Sequence, residues 1–319
     1  MPEIFRDAQQ AQGFVVSQTS NIEAGVYARR YPNYDYASLV PVVTEGNEWA
    51  RSTTFYSSDQ VGKSEWISGA GDDMPLADIT RDKHEHAFAM RGIGYEWNLE
   101  EVNVARMLGQ NLSADKAAAA RRVAEAFLYK VALTGDAEKN WTGLFNDAGV
   151  TAADVAADGA SSSKFWTAKT PEQIGRDIND VLIGIHVDTE EVEMADTLLL
   201  PTAQLLYLAQ TKISSTSDTT ILAFIKANNA YTATTGRELM IRGSRSLATA
   251  GVGGVARGVA YWRNPEAVRF HLPMPYRFLP PFQVSSMSWH VGGIMRTGGT
   301  EIRLPGAVRY FDEFAPAPA

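Results

Sequence analysis

Three features of the amino-acid sequence predict an α+β fold. A segment rich in β-formers and turn residues, 51–79, precedes one long helical pattern over 113–134. A mixed block of helices and strands fills the middle of the chain. From 267 to 314 short alternating strands return. The early and late β regions are therefore placed to pair, with the middle block inserted between them.

Residues 1–44 are polar and mixed, with Gln9, Gln10, Gln12 and Gln18 ahead of a tyrosine cluster at Tyr27, Tyr31, Tyr34 and Tyr36. Their apolar residues follow no period, which suits an arm lying on another surface. Segment 51–79 opens with Ser52-Thr53-Thr54-Phe55-Tyr56, rich in strand formers. It continues into Gly62, Gly69, Gly71, Asp72, Asp73 and Pro75, which favour turns. Trp66 and Ile67 lie between charges and hydroxyls, with too little apolar surface nearby for a private core. An extended, aromatic-bearing arm of this kind needs a partner to bury it.

From 83 to 97 the alternation is strand-like. His84, His86, Phe88 and Met90 share one face, Glu85, Ala87, Ala89 and Arg91 the other, and Gly92 and Gly94 break or bulge the strand. Over 113–134, Ser113 is placed as N-cap and Asp115 in the first turn. Ala120, Val123, Phe127 and Val131 form the apolar stripe, and Gly135 ends the helix. Residues 147–169 are rich in Ser, Ala and Gly and read as a loop or domain crossover. Thr170-Pro171-Glu172-Gln173 is a capping box with Pro at the first helical position, followed by an apolar face of Ile174, Ile178, Val181, Leu182 and Ile185. A buried strand is expected over 197–200, a helix from Pro201 to Leu208, and a helix capped by Asp218 that holds Ile221, Phe224 and Ile225. Strands follow over 239–242 and 255–263. Thr297-Gly298-Gly299-Thr300 is expected to turn a hairpin between 292–295 and 301–304.

Composition narrows the function. The 319 residues are 45% hydrophobic and 21% charged, ordinary for a soluble globular protein with a large core. The absence of cysteine excludes disulfides, thiolate zinc sites and thiol nucleophiles, and fits a reducing cytoplasm. A net charge of -8 argues against tight, sequence-independent binding of nucleic acid through a basic surface. The N-terminus has no secretory pattern, and no stretch reaches the roughly 20 apolar residues of a membrane span.

Candidate chemistry is sparse. His84-Glu85-His86 places two imidazoles on one strand face without a third convergent ligand, and reads as histidines on a sheet or subunit surface. His186, His271 and His290 are isolated in the sequence. Glu190, Glu191, Glu193 and Asp196 could hold a divalent cation but lack a calcium-loop register, and read as a solvated face. Gly251-Val252-Gly253-Gly254 has the composition of a phosphate loop but precedes a strand pattern, so a mobile loop or a tight turn is expected. Ser161-Ser162-Ser163 lacks a nucleophile-elbow setting. Most tryptophans suit core positions; Trp66 is the one expected as an interface anchor.

Several longer strings have a family likeness: DQVGKSEWIS at 59–68, LSADKAAAARR at 112–122, GDAEKNWTGLFN at 135–146, PYRFLPPFQ at 275–283 and PGAVRYFD at 305–312. With the order of segments, they make the chain resemble tailed-phage major capsid proteins, whose fold is shared with encapsulin shells. The resemblance runs nearly end to end. It implies an N-terminal arm (1–44), an extended β-hairpin loop (45–80), and a peripheral domain from 81–150 and 265–319 with a spine helix over 113–134. An axial domain (151–264) would be inserted.

The function implied is a non-enzymatic shell subunit without cofactors, forming pentamers and hexamers around double-stranded DNA. The implied partners are other copies of the chain, a separate scaffolding protein, a portal and decoration proteins. The implied location is the virion, assembled in the bacterial host cytoplasm. Phe55, Tyr56, Lys63, Trp66 and Ile67 are the expected inter-subunit contacts. Lys63 lies where some relatives cross-link, but no asparagine partner is identified, so no cross-link is expected. An encapsulin-like nanocompartment and a cation-dependent enzyme using 190–196 are the alternatives.

Overall fold

The computed structural model describes residues 32, 34–64, 66, 76–107 and 112–316, with Arg106 and Leu112 placed by backbone alone. Most of the expected N-terminal arm thus lies outside the described residues. Tyr34–Ala319 forms one compact unit, to which the following refers.

The first part runs β1 (Val42–Val43), β2 (Ser52–Val61), β3 (Asp78–Ala87), β4 (Ala89–Gly92), β5 (Tyr95–Asn98), α1 (Leu99–Met107) and α2 (Leu112–Thr134). The middle holds β6 (Thr151–Asp154), α3 (Pro171–Asp188), β7 (Thr197–Pro201), α4 (Thr202–Gln210), α5 (Ile221–Ala227), α6 (Ala230–Thr235), β8 (Met240–Ser244) and β9 (Arg257–Tyr261). The last part is β10 (Val268–His271), β11 (Met274–Phe278), β12 (Phe282–Ser285), β13 (Ser288–Val291), β14 (Gly293–Thr297), β15 (Gly299–Ile302) and β16 (Val308–Asp312).

Early and late strands pair, in the orders β1-β10-β15, β11-β14-β4 and β12-β13-β5. The final strand β16 instead enters the middle block's sheet, ordered β6-β16-β9-β7-β8. The central strands of that sheet, β16, β9 and β7, are buried on both faces, and their sequence shows why. Leu199, Val259, Tyr261, Val308 and Tyr310 point into one core; Leu198, Leu200, Ala260 and Phe311 point into a second. Successive side chains on a strand face opposite ways, so runs such as Leu198-Leu199-Leu200 feed both cores at once. The first core is completed by Ala124, Leu128, Val131, Ala132 and Leu133 of α2, the second by Ile174, Ile178, Val181, Leu182 and Ile185 of α3. On α3 the capping box forms as expected: Thr170 Oγ1 accepts from Gln173 N, and Gln173 Oε1 accepts from Thr170 N at 2.8 Å.

Helix α2 differs from expectation at its start and on its face. It begins at Leu112, so Ser113 is inside the first turn rather than the cap. Its buried row is Ala120, Ala124, Leu128 and Ala132 with Val131, while Val123 is 48% exposed. The small alanines let the helix approach the core closely, which rotates the packed face away from Val123. The helix ends as expected at Gly135, whose φ of 74° is left-handed. The string GDAEKNWTGLFN then folds back on the helix end. Leu144 N donates to Ala132 O at 3.1 Å, Phe145 N to Leu133 O at 2.9 Å, and Asn146 Nδ2 to Thr134 O at 2.9 Å. These donors satisfy carbonyls that a helix C-terminus leaves without partners.

Three further expectations are corrected. The 83–97 strand breaks at Ile93-Gly94, as the glycines led one to expect, but it breaks at Phe88 as well, giving β3, β4 and β5. Thr220, not Asp218, caps α5, its side chain accepting from Ala223 N. The hairpin across 297–300 does not form: β14 pairs with β11 and β4, whereas β15 pairs with β10. Gly298 N and Thr297 Oγ1 both donate to His271 O, at 3.0 and 2.8 Å, and Gly299 has a φ of 77°. The glycines therefore step the chain from one sheet to the next instead of reversing it.

The double-sided sheet carries a buried ion pair. Arg257 Nε and Nη2 donate to Asp312 Oδ1 and Oδ2 at 2.8 and 2.6 Å, and Nη1 donates to Phe145 O at 2.8 Å. It joins opposed residues of β9 and β16 to the loop that closes α2.

Two stability predictions follow from this core. Leu198→Ala and Leu199→Ala, neighbours on opposite faces, should each cost about 2–5 kcal/mol in urea unfolding of the isolated subunit; a sheet buried on one side only would show a loss at just one. Asp312→Ala should cost about 3–5 kcal/mol by stranding a buried guanidinium, and Arg257→Met combined with Asp312→Leu should cost clearly less in the same measurement.

Candidate assembly surface

Segment 51–79 is built around the β2–β3 hairpin. Its strands pair from Ser52↔Ala87 to Val61↔Asp78 without a register shift. Ten residues at ~3.4 Å each give an arm of roughly 34 Å. Most of its side chains are exposed, and a two-stranded hairpin by itself is at best marginally stable in water.

The body of the chain grips the hairpin at its root. Phe88 N donates to Arg51 O at 2.7 Å, Arg296 Nη1 donates to Ala50 O at 2.7 Å, and Arg277 pairs with Glu48 at 2.9 Å. Phe55 is half-buried between the ring of His84, with centroids 5.0 Å apart, and the guanidinium of Arg303 at 3.8 Å. Arg303 Nε donates to Glu301 at 3.0 Å, and the same carboxylate lies 2.7 Å from His271 Nε2. The ring of His271 stacks on that of His86 at 5.1 Å, and His86 Nε2 lies 2.7 Å from Gly298 O. Burial works against charge on Glu301, yet the hydrogen bonds and charges of His271 and Arg303 hold its pKa down at about 2. Burial is also the main influence on His271, and it lowers the imidazole below its ordinary range despite Glu301.

The predicted contact residues divide along the hairpin. Phe55 is held by its own chain. Tyr56, opposite Lys83, is 68% exposed. Lys63 is exposed just past the end of β2. Trp66 is fully exposed, as expected of a residue without a local core. Ile67 lies outside the described residues. Val61, Leu76 and Ile79, which were not singled out, add exposed apolar surface to the outer hairpin.

The root cluster was missed because its members are far apart in sequence. His271 is not isolated: it meets His86 and Glu301. The shared face of His84, His86 and Phe88 was the available signal, since the first packs on Phe55 and the other two on His271.

The other candidates resolve into local structure. Asp196 Oδ1 accepts from Arg263 N and Thr197 Oγ1, at 2.8 and 2.9 Å, and so ties the start of β7 to the residues that follow β9. Glu190 and Glu191 occupy a turn with φ of 53° and 65°. Among the described residues no group of three or more His, Cys, Asp or Glu side chains is placed to hold a metal ion. Gly253 and Gly254, with φ of 78° and 80°, form a tight turn ahead of β9, as expected. Among the described residues no helix is long and apolar enough to cross a membrane.

Comparison with solved structures gives the same architecture. The chain superposes on "The capsid of Myoviridae Phage XM1" with a TM-score of 0.76 at 16% identity, covering 93% of this chain and 97% of that one. It matches the capsid of a native GTA particle with a TM-score of 0.61 at 12% identity, covering 98% and 100%. It also matches a chain of Microbacterium phage Oxtober96 with a TM-score of 0.60 at 11% identity, covering 96% and 98%. Among curated proteins, none matches this sequence significantly. Residues 62–314 match the family described as "Major capsid protein", and the chain belongs to that family.

Proposed function

We propose that this chain is the head-shell subunit of a tailed bacteriophage, assembling into pentamers and hexamers and then an icosahedral shell around double-stranded DNA. The observation that carries the clamp in this proposal is the β2–β3 hairpin, fixed at its root and bare beyond it. In that role Tyr56, Lys63, Trp66 and Ile67 meet a neighbouring subunit, while Phe55 holds the root on its own chain.

The remaining assignments are part of the same proposal. Residues 1–44 serve as an arm, 45–80 as the extended loop, 81–150 with 265–319 as the peripheral domain, and 151–264 as the axial domain around the capsomer axis. Strand β16 of the last segment links it to the middle block through their common sheet. The subunit acts without catalysis and works with a scaffolding protein, a portal and decoration proteins. Its site is the virion, after assembly in the host cytoplasm. The net charge of -8 suits a wall that should not grip packed DNA.

The energetics favour a clamp. A tryptophan buries roughly 200 Å², which at ~25 cal/mol per Å² is about 5 kcal/mol of gross driving force per contact. A ring repeats the contact at every subunit, so modest pairwise affinity becomes a stable assembly.

Trp66→Asp should therefore leave circular dichroism and thermal unfolding of the isolated subunit unchanged while abolishing particles in negative-stain microscopy and sedimentation. Shells of normal yield and size would overturn the clamp. Phe55→Ala should behave in the opposite order, lowering subunit stability by about 1–2 kcal/mol through loss of its ring and cation contacts, seen as an earlier urea midpoint.

A further inference from the structure

We infer that Lys169 and Asp177 condense with each other into an intrachain amide, Nζ to Cγ, which fixes the crossover ahead of α3 to the helix itself. Both side chains are sealed from solvent, with 0% and 1% of their surface exposed. Lys169 Nζ donates to Asp177 Oδ2 at 2.6 Å. The carboxyl carbon is one C–O bond of about 1.23 Å further on. It therefore lies within about 3.8 Å of the amine, close to the roughly 3–3.5 Å from which a nucleophile attacks.

The groups around the pair supply what amide formation needs. Trp166 Nε1 donates to the same Oδ2 at 3.0 Å, where negative charge develops as Nζ adds to Cγ. Asp158 Oδ1 lies 3.0 Å from Nζ and is placed to carry a proton away from it. Asp177 Oδ1 is buried with no hydrogen-bond partner among the described residues, so it is the oxygen free to leave. Asp177 also lines a cavity of about 190 Å³, ample for a water that occupies roughly 30 Å³. Phe311 and Phe314 pack on Trp166 and keep bulk solvent from the site.

The step balances without an oxidant, reductant or co-reactant. The ammonium and carboxylate together hold three N–H protons and no net charge. One proton moves to Asp177 Oδ1, leaving a neutral amine beside a carboxylic acid. The Nζ lone pair then forms the bond to Cγ. As the Cγ–Oδ1 bond breaks, Asp158 passes a second proton from Nζ to the departing hydroxyl, which leaves as water. The amide keeps the third proton, and Asp158 ends as it began. The reaction occurs once, within the chain, and turns over no substrate.

Burial favours this outcome. Two charges held out of water are costly, and the amide carries none. Burial raises the pKa of Asp177 even though the hydrogen bond and charge of Lys169 oppose it, which favours the acid form that loses hydroxyl. Exclusion of water also protects the amide from hydrolysis. The backbone is strained to close the site. Ser161 and Ser162 have left-handed φ of 59° and 57°. A Cβ at Gly159 would meet Ser163 O at 2.7 Å and Lys169 Cγ at 3.1 Å. Gln173 Nε2 donates to Asp158 O at 2.7 Å, and Arg176 pairs with the Asp158 carboxylate, so the proton carrier is held from α3.

Intact mass and peptide mapping of the purified, denatured full-length chain test the amide. The expected mass is that of the sequence less one water. Trypsin should fail to cut after Lys169 and should release residues 165–176 joined to 177–212 as one branched species. Lys169→Arg keeps a cation against Asp177 but has no nucleophilic amine, and should show the full mass and no branched species. Asp158→Asn keeps both reacting groups and should slow linkage about 10²–10⁴-fold, read as linked fraction against time after cell-free synthesis. A parent chain of full mass that releases residues 165–169 and 170–176 as separate peptides overturns the amide. So does a water loss that persists in Lys169→Arg or maps to one unbranched peptide. Linkage in Asp158→Asn at the parent rate overturns the role of Asp158. The branched peptide is read from the parent chain alone, so the test stands even where a variant does not fold.

Discussion

The rest of the structure depends on one sheet being apolar on both sides. Strands β7 and β9 have no exposed residue between them. Leu199, Val259 and Tyr261 support the core beneath α2; Leu198, Leu200 and Ala260 support the core beneath α3. Because side chains alternate along a strand, neither core can be changed without moving residues adjacent to the other. The sheet is thus a common wall rather than a boundary. The chain's last strand must return to it from the far end of the sequence. There Phe311 and Phe314 close on Trp166 with ring centroids 6.1 and 4.6 Å away.

How much of this the sequence revealed depended on whether a feature was local. The capping box at Thr170 and the face of α3 are settled within a few residues, and both form as expected. The end of α2 at Gly135 is equally local, because a left-handed residue there needs no distant partner. The stripe of α2 was less legible. Ala124 and Val123 are both compatible with a helix interior, and only the close approach to the core decides between them. The 297–300 glycines show the same limit more sharply. They have the chemistry of a hairpin turn, but His271, 26 residues earlier, supplies the acceptor that redirects the chain.

The candidate surface follows the same division. Trp66 could be recognised as bare because its neighbours in sequence offer it nothing. Phe55 could not be recognised as held, because Arg303 is remote in the chain and joins it only through the return of β15. His84 and His86 lie on a sheet, as expected, but His271 was read as isolated for the same reason: it looks unrelated to His86 until β3 and β10 meet. Long-range pairs of this kind leave only a weak trace in sequence, here the shared face of His84, His86 and Phe88.

The division of the hairpin into a held root and a bare outer part bears directly on assembly. A free arm of two strands would lose much conformational freedom on docking, and that loss would weaken any contact its tip could make. Here Arg296, Arg303, His271 and the Glu48–Arg277 pair fix where the arm leaves the body. Part of the ordering has already occurred in the folded subunit. Trp66 lies five residues beyond the end of β2, a strand whose direction is set by contacts at its far end. In the clamp role proposed above, an arm built this way stays exposed on a single subunit and loses less conformational freedom when a neighbour covers it.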